Sequence, residues 1–280
     1  MDAPPPLPTT TPLPPAPGPL ERIVIRHPSL PDSLRGLRIL HLTDLHIRRR
    51  RPDTPFLRTL REALDKVQVD LALFTGDAMN YPGDETDAIG ALRLLIPRIR
   101  ATRGLFGVHG NHDSPVFRQM ALSIPGIRWL QGEVVRFHGL PLTLTGPQDP
   151  EDFLGTLLAA REDDPAEHEP SPFRIAAAHY PTEIYPAAEL GIHLLIAGHT
   201  HGGQIRASPN LAPHTSSDLP GSLASGILRL GNTLGCVSRG LGQAVIDVRI
   251  RCPPHAPVYI LERGAFPPAD RGQLTRLVKW

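Results

Sequence analysis

Cysteine is nearly absent: Cys236 and Cys252 are the two in 280 residues. Two thiols cannot frame a chain of this length with disulfides, so the sequence reads as a protein with free thiols in a reducing compartment. Excess charge is missing too. Lys and Arg number 29 and Asp and Glu 28, for a net charge of +1, which gives no global pull toward nucleic acid or an anionic membrane. Aromatics are only 5 % of the residues, too few to indicate a platform for stacked bases, and with the small charge this weighs against a nuclease. No run of eighteen apolar residues occurs, so no segment is expected to span a membrane. The N-terminus has no basic region, apolar core or small-residue cleavage site, so no signal peptide is expected. There is no internal repeat.

What is abundant is proline, with nine in the first twenty residues. Such density favours extended, solvated backbone, so residues 1–20 are expected to form a disordered tail and residues 21–280 one folded domain. Apolar residues at 40 % and charged residues at 20 % are ordinary for a globular protein.

The first half of the domain repeats one device. Leu37 to Leu42 is an apolar run ending in Thr43-Asp44-Leu45-His46, and Val69 to Phe74 is another, ending in Thr75-Gly76-Asp77. Between them Pro55 starts a helical pattern of Phe56, Leu57, Leu60, Leu64 and Val67. Strand, helix, strand implies parallel pairing. Asp87 to Ile99 then reads as a helix and Gly104 to Val108 as a strand, ending in Gly110-Asn111-His112-Asp113. In the second half, strands are expected at 134–137, 140–145, 174–178, 193–197, 226–230, 235–238, 245–250 and 258–262. A short helix is expected at 153–161, followed by an acidic loop, and 207–222 reads as a loop. The outline is an α/β protein with two packed sheets and helices outside.

Polar residues stand where these strands end: Asp44 and His46, Asp77, Asn111 and His112, His179, His199 and His201. Open α/β sheets place their sites at the C-terminal ends of strands. Carboxylate, imidazole and amide oxygen together suit divalent Zn, Mn, Fe or Co. Asp44-Leu45-His46 and His199-Thr200-His201 are i, i+2 pairs that can aim both side chains one way, and Gly198, Gly202 and Gly203 permit close approach around the second. Any one of these pieces alone is weak, but five in order, each after an apolar strand, point to a metal cage.

The series DLH (44–46), GD (76–77), GNHD (110–113), H (179) and GHTH (198–201) resembles the calcineurin-like metallophosphoesterase family over about residues 36 to 263. AGHTHGGQI (197–205), VSRGLG (237–242) and RCPPH (251–255) resemble a narrower bacterial subgroup of phosphodiesterases and UDP-2,3-diacylglucosamine pyrophosphatases. The resemblance implies a four-layer α/β/β/α fold and two divalent metal ions. It assigns Asp44, His46 and His201 to the first, Asn111, His179 and His199 to the second, and Asp77 to both. It implies metal-assisted hydrolysis of a phosphodiester or pyrophosphate. His112 is then a charge stabiliser or general acid, with Asp113 holding its ring. Where relatives carry an acidic residue before GHTH, this chain has His193, which is expected to be structural.

Arg48 to Arg51 come one residue after His46, beyond Ile47, and are expected at the rim of the site, to attract a polyanionic substrate or rest on anionic headgroups. Arg239 in VSRGLG is a candidate phosphate contact. The substrate is expected to be a phosphate ester or pyrophosphate, with a lipid-linked one ranked second because no long amphipathic helix offers an acyl trough. A cytoplasmic location follows, with peripheral contact to the inner membrane. A non-catalytic protein-binding scaffold on the same fold is the competing reading.

Overall fold

A computed structural model describes residues 19–162, 171–208, 212–267, 272–278 and 280. The expected tail lies outside these residues up to position 18, as do parts of the loops at 163–170 and 209–211. The chain enters the fold through β1 (Leu20–His27) and β2 (Arg38–Leu42), then α1 (Pro55–Leu64), β3 (Gln68–Val69), β4 (Leu71–Thr75), α2 (Glu85–Leu95), β5 (Arg100–Ala101) and β6 (Leu105–Val108). It continues through α3 (Pro115–Ala121), β7 (Arg128–Trp129), β8 (Val134–Arg136), β9 (Leu142–Thr145), α4 (Phe153–Glu162), β10 (Phe173–Ala177), α5 (Ile184–Glu189) and β11 (Leu194–Ala197). The closing strands are β12 (Gly226–Leu230), β13 (Thr233–Val237), β14 (Ala256–Arg263) and β15 (Thr275–Val278).

Two large sheets result, ordered β1-β14-β2-β4-β6-β7 and β15-β12-β13-β11-β10-β9-β8, with β3 and β5 pairing separately. Alternation along the strands explains the layers. Leu40, Leu42, Ala72 and Phe74 face α1, α2 and α3, burying Leu57, Leu60, Leu92 and Phe117. Their neighbours Ile39, Leu71 and Leu73 face the other way, into a core shared with Leu144, Ile175, Leu194 and Ile196 of the second sheet. The outer face of that sheet, with Ala176 and Leu195, packs on Phe153 and Leu157 of α4 and Ile184 of α5. The four layers are therefore α/β/β/α.

Helix boundaries follow local chemistry. Thr54 caps α1, its hydroxyl accepting from Leu57 N–H at 3.3 Å, and Pro55 occupies the first turn, where no N–H is needed. The helix expected to reach Ile99 stops at Leu95 and tightens into a 3₁₀ turn over Ile96–Arg98, because Pro97 cannot continue an α-helical ladder.

One strand expectation needs correction. Residues 245–250 do not form a strand; only Ile250 makes an isolated bridge, to Ile205. Val245 has φ +60°, outside the extended range, and Arg249 turns inward. Conversely β1 was not expected, yet it pairs in parallel with β14 along its whole length. As an edge strand it mixes Ile23 and Ile25 with exposed charge, which masks the alternation. Among the described residues no helix is long and apolar enough to cross a membrane.

The centre strands β2, β4 and β6 are mutually parallel, as are β9, β10, β11 and β13. Parallel strands deliver their C-terminal ends to one edge. From that edge emerge Thr43-Asp44, Gly76-Asp77 and Gly110-Asn111 in one sheet and Ala178-His179 and Gly198-His199 in the other.

Candidate metal centre

The loops after the strands remain in register beyond the sheet. Asp44 N–H donates to Gly76 O at 3.0 Å, His46 N–H to Asp77 O at 3.1 Å and Ile47 N–H to Ala78 O at 2.9 Å. Glycines let the loops touch. A side chain at Gly110 would collide with the Asp77 carboxylate, and one at Gly198 with Thr43 and Asp44. In return, Asp44, His46, Asp77, His199 and His201 adopt left-handed φ of 54°, 45°, 56°, 71° and 51°. Asp and His tolerate this region better than most residues, yet each still costs roughly 1–2 kcal/mol. Five strained residues at one edge mark a site in which placement of side chains overrides backbone preference.

The side chains converge. His46 Nε2 and His179 Nε2 each lie 3.3 Å from the same oxygen, Oδ2 of Asp77. His201 Nε2 is 2.9 Å from His46 Nε2 and 3.8 Å from Asp44 Oδ1. On the other side, His199 Nδ1 is 3.1 Å and Asn111 Oδ1 2.9 Å from His179 Nε2. Asp44, His46 and His201 form one tight group and Asp77, His179 and His199 a second, while His112 joins His46 and Asp77 in a third. All seven expected ligands are thus brought together.

The outer hydrogen bonds fix which nitrogens point inward. His179 Nδ1 lies 2.8 Å from Thr75 O and His199 Nε2 2.7 Å from Ser216 O. A carbonyl only accepts, so those nitrogens carry the protons. His199 Nδ1, left without a proton, therefore faces His179 Nε2 at 3.1 Å. Burial would lower the His179 ring, but the charge and hydrogen bond of Asp77 push it up to about 9, so the proton on Nε2 stands where a cation would bind. His46 Nδ1 is held at 3.0 Å by Asn80 Oδ1. Burial pushes His199 down to about 4 and His201 well below its ordinary range, which keeps both rings neutral. Burial alone would raise the Asp77 carboxyl, but the charges and hydrogen bonds of His179 and His46 hold it well below the usual range. Burial, with Asp77 nearby, raises Asp44. The donor set fits divalent cations.

The expected placements of neighbouring residues hold for Arg48 and His193 and change for Asp113 and Arg239. His112 stands at the centre, half-buried, with its N–H on Asp77 Oδ1 at 2.9 Å. Its ring, however, is held by Asn80, whose carbonyl lies 2.6 Å from Nδ1, and not by Asp113. The Asp113 carboxylate instead accepts from the N–H groups of Asp77 (3.0 Å), Ala78 (2.8 Å) and Gly110 (2.9 Å). It is a clasp between two ligand loops, and its neighbour in sequence points elsewhere. Arg239 is likewise not at the site: it is buried, donating to Pro253 O at 3.0 Å and lying 3.7 Å from Glu21. In VSRGLG the glycines abut the metal loops, with Gly242 N–H on Asp44 O at 2.6 Å. Arg48 does line a cavity beside His46, and its Nη1 lies 3.1 Å from Asp247. His193 is structural, accepting from Arg174 N–H at 2.9 Å and stacking on Phe173. Asn80 escaped the sequence reading; its only signal is its place three residues beyond Asp77.

A family comparison matches residues 37–203 to the model of calcineurin-like phosphoesterases. The chain belongs to that family. As a calcineurin-like phosphoesterase it is a metal-dependent phosphoester hydrolase. It is 25 % identical over 259 residues to an uncharacterized metallophosphoesterase, YkuE, of Bacillus subtilis, covering 85 % of this chain and 83 % of that one. It is 26 % identical over 240 residues to phosphodiesterase YaeI of Escherichia coli, with 85 % and 87 % covered. A shorter match, 31 % over 94 residues, is to UDP-2,3-diacylglucosamine pyrophosphatase LpxG of Chlamydia muridarum, spanning 34 % of this chain and 28 % of that protein. Among solved structures, zinc-complexed Vps29 from Entamoeba histolytica aligns with a TM-score of 0.36 and 14 % identity over 76 % of this chain and 81 % of that one.

Proposed function

We propose that the chain hydrolyses phosphodiesters at a dinuclear centre. Asp44, His46 and His201 would hold one ion, Asn111, His179 and His199 the other, and Asp77 both. The observation that carries this reading is Asp77 Oδ2, 3.3 Å from ligating nitrogens of both groups. Divalent ions bound there, of which Mn, Zn and Fe suit the donors, supply Lewis acidity toward phosphoryl oxygens and lower the pKa of bound water. The chain's own task is positioning. Thr75, Asn80 and Ser216 orient three ligand rings, and the Asp113 clasp fixes the spacing of the Asp77 and Gly110 loops. His112, with Nδ1 committed to Asn80, leaves Nε2 to face a substrate oxygen and, when protonated, to donate to the leaving group.

The deciding experiment measures metal content of the purified protein and hydrolysis of bis-p-nitrophenyl phosphate with and without added Mn. About two ions per chain and metal-dependent turnover are expected; one ion or none refutes the dinuclear reading. His112→Ala is expected to lower turnover by about 10²–10⁴-fold with metal content unchanged. Unaltered turnover would remove His112 from catalysis, and metal without turnover on any diester would favour a binding scaffold.

A second reading is cleavage of a lipid-linked pyrophosphate such as UDP-2,3-diacylglucosamine. It is favoured by a cavity of about 370 Å³ beside His46, walled largely by apolar residues including Leu45, Phe56, Leu241 and Pro254. Release of the monophosphate from that substrate would separate it from a general diesterase.

A further inference from the structure

The loop from Ala244 to Ile250 is inside out. Arg249, its cation, is turned inward: its guanidinium donates to Gly242 O at 2.8 Å, Arg239 O at 2.9 Å and Cys252 O at 3.2 Å, and Nη2 lies 3.2 Å from His201 Nδ1. The aliphatic residues face solvent instead, with Val245 at 68 %, Ile246 at 46 %, Val248 at 44 % and Ile250 at 47 % exposure. The arrangement is anchored. Gln204 accepts from Ala244 N–H at 2.9 Å and donates to Ala244 O and Ile246 O at 3.2 and 3.0 Å. Ile250 exchanges backbone hydrogen bonds with Gln204 and Arg206, both at 3.0 Å. Val245 is held at φ +60°, a conformation a β-branched residue rarely takes. A backbone strained to keep its apolar side chains in water points to something that covers them.

The neighbouring loop supplies positive charge. Arg49, Arg50 and Arg51 are exposed. Their backbone is pinned at 2.7 Å and 3.1 Å, where the carboxylates of Asp84 and Asp87 take the N–H groups of Arg49 and Arg50. The two loops are tied together through Asp247, 3.1 Å from Arg48 and 3.4 Å from Arg51. Both border the metal centre, one two residues past His46 and the other through Arg249 at His201.

We propose that these two loops form a docking face for an anionic phospholipid bilayer, which brings the metal centre to the headgroups. Four aliphatic side chains with no aromatic or polar anchor among them suit insertion between acyl chains better than a protein interface, whose core is enriched in aromatic residues. Stable peripheral attachment takes two signals, an apolar one and a basic one, and this face has both. Asp247, Asp84 and Asp87 offset part of the basic charge, so the aliphatic loop supplies the affinity and the arginines the preference for anionic lipid. With a net charge of +1, it is the local arrangement and not the whole molecule that selects the surface.

The test is flotation of the full chain with large unilamellar vesicles, either phosphatidylcholine alone or a 1:1 mixture with phosphatidylglycerol. The protein should float with both kinds of vesicle, more completely with the mixed ones, and lose that preference but not the binding at high salt. The triple variant Val245→Ser, Ile246→Ser, Val248→Ser should bind at least tenfold more weakly, with hydrolysis of bis-p-nitrophenyl phosphate and the thermal midpoint unchanged. Arg49→Ala with Arg50→Ala should abolish the preference for the mixed vesicles. Failure of the wild type to float, or equal binding by the triple variant, overturns the proposal. So does concentration-dependent self-association removed by the triple variant in the absence of vesicle binding, which would assign the face to a second copy of the chain. Vesicle binding needs no turnover, so its failure is distinct from failure of the phosphodiesterase reading.

Discussion

Asn80 steadies two histidines by different atoms: its side-chain oxygen meets His46 and its main-chain carbonyl meets His112. Asn80→Ala therefore removes the first contact and keeps the second. Metal affinity, read by titration with Mn, is expected to fall about 10–100-fold, while Asn80→Asp retains the acceptor and most of the affinity. Glu183 offers a test away from the ligands. Burial and then the charge of Glu151 push its carboxyl up to about 7 from 4.5. Between those values the folded chain holds a proton that the unfolded chain has released, so stability falls as pH rises through this window and stays reduced above it. Glu183→Gln should match the parent in thermal midpoint near pH 4.5 and exceed it at pH 8; equal midpoints at pH 8 would contradict this. At this scale the Asp and His side chains that converge at the site were legible because they follow apolar runs. Asp113 is not legible as a clasp because successive loop residues aim in different directions, and the motif that carries Arg239 does not show that its side chain turns to Pro253 and Glu21.

The elements that matter most are the loops at the strand ends, which meet backbone to backbone. Gly110→Ala would drive a methyl group into the Asp77 carboxylate. It is expected to destabilise the fold by about 1–3 kcal/mol and to lower bound metal, measured by atomic emission; a variant with full metal content would show that the loops can part. The central strands were readable in sequence because strands buried on both faces are nearly continuous apolar runs. Edge strands β1 and β15 were not, since half their residues meet water. Residues 245–250 alternate like a strand, but the alternation there serves a loop whose apolar side faces outward.

For the whole molecule, burying His46, His179, His201, Asp44 and Asp77 at one edge links metal binding to folding. Ligand held at about 100 times its dissociation constant adds about 2.7 kcal/mol. Chelation with EDTA is therefore expected to lower the thermal midpoint by about 5–10 °C, as seen by scanning calorimetry. No shift would show that the cage holds no metal in the purified protein. The layer order was legible because three apolar faces can be closed only by two sheets between helices. The closeness of the two sheet edges was not, because it depends on how the sheets pack and not on any local pattern.

The left-handed backbone at Asp44, His46, Asp77, His199 and His201 has an evolutionary side. Glycine adopts that conformation freely, so at each of these positions the chain would fold with less strain if the ligand were lost. Selection for stability alone would erode the proposed centre, and these side chains persist only under selection for what they do. A lineage released from that demand should drift first at these five positions, toward glycine and asparagine, and leave behind a sturdier protein with the same fold and no chemistry.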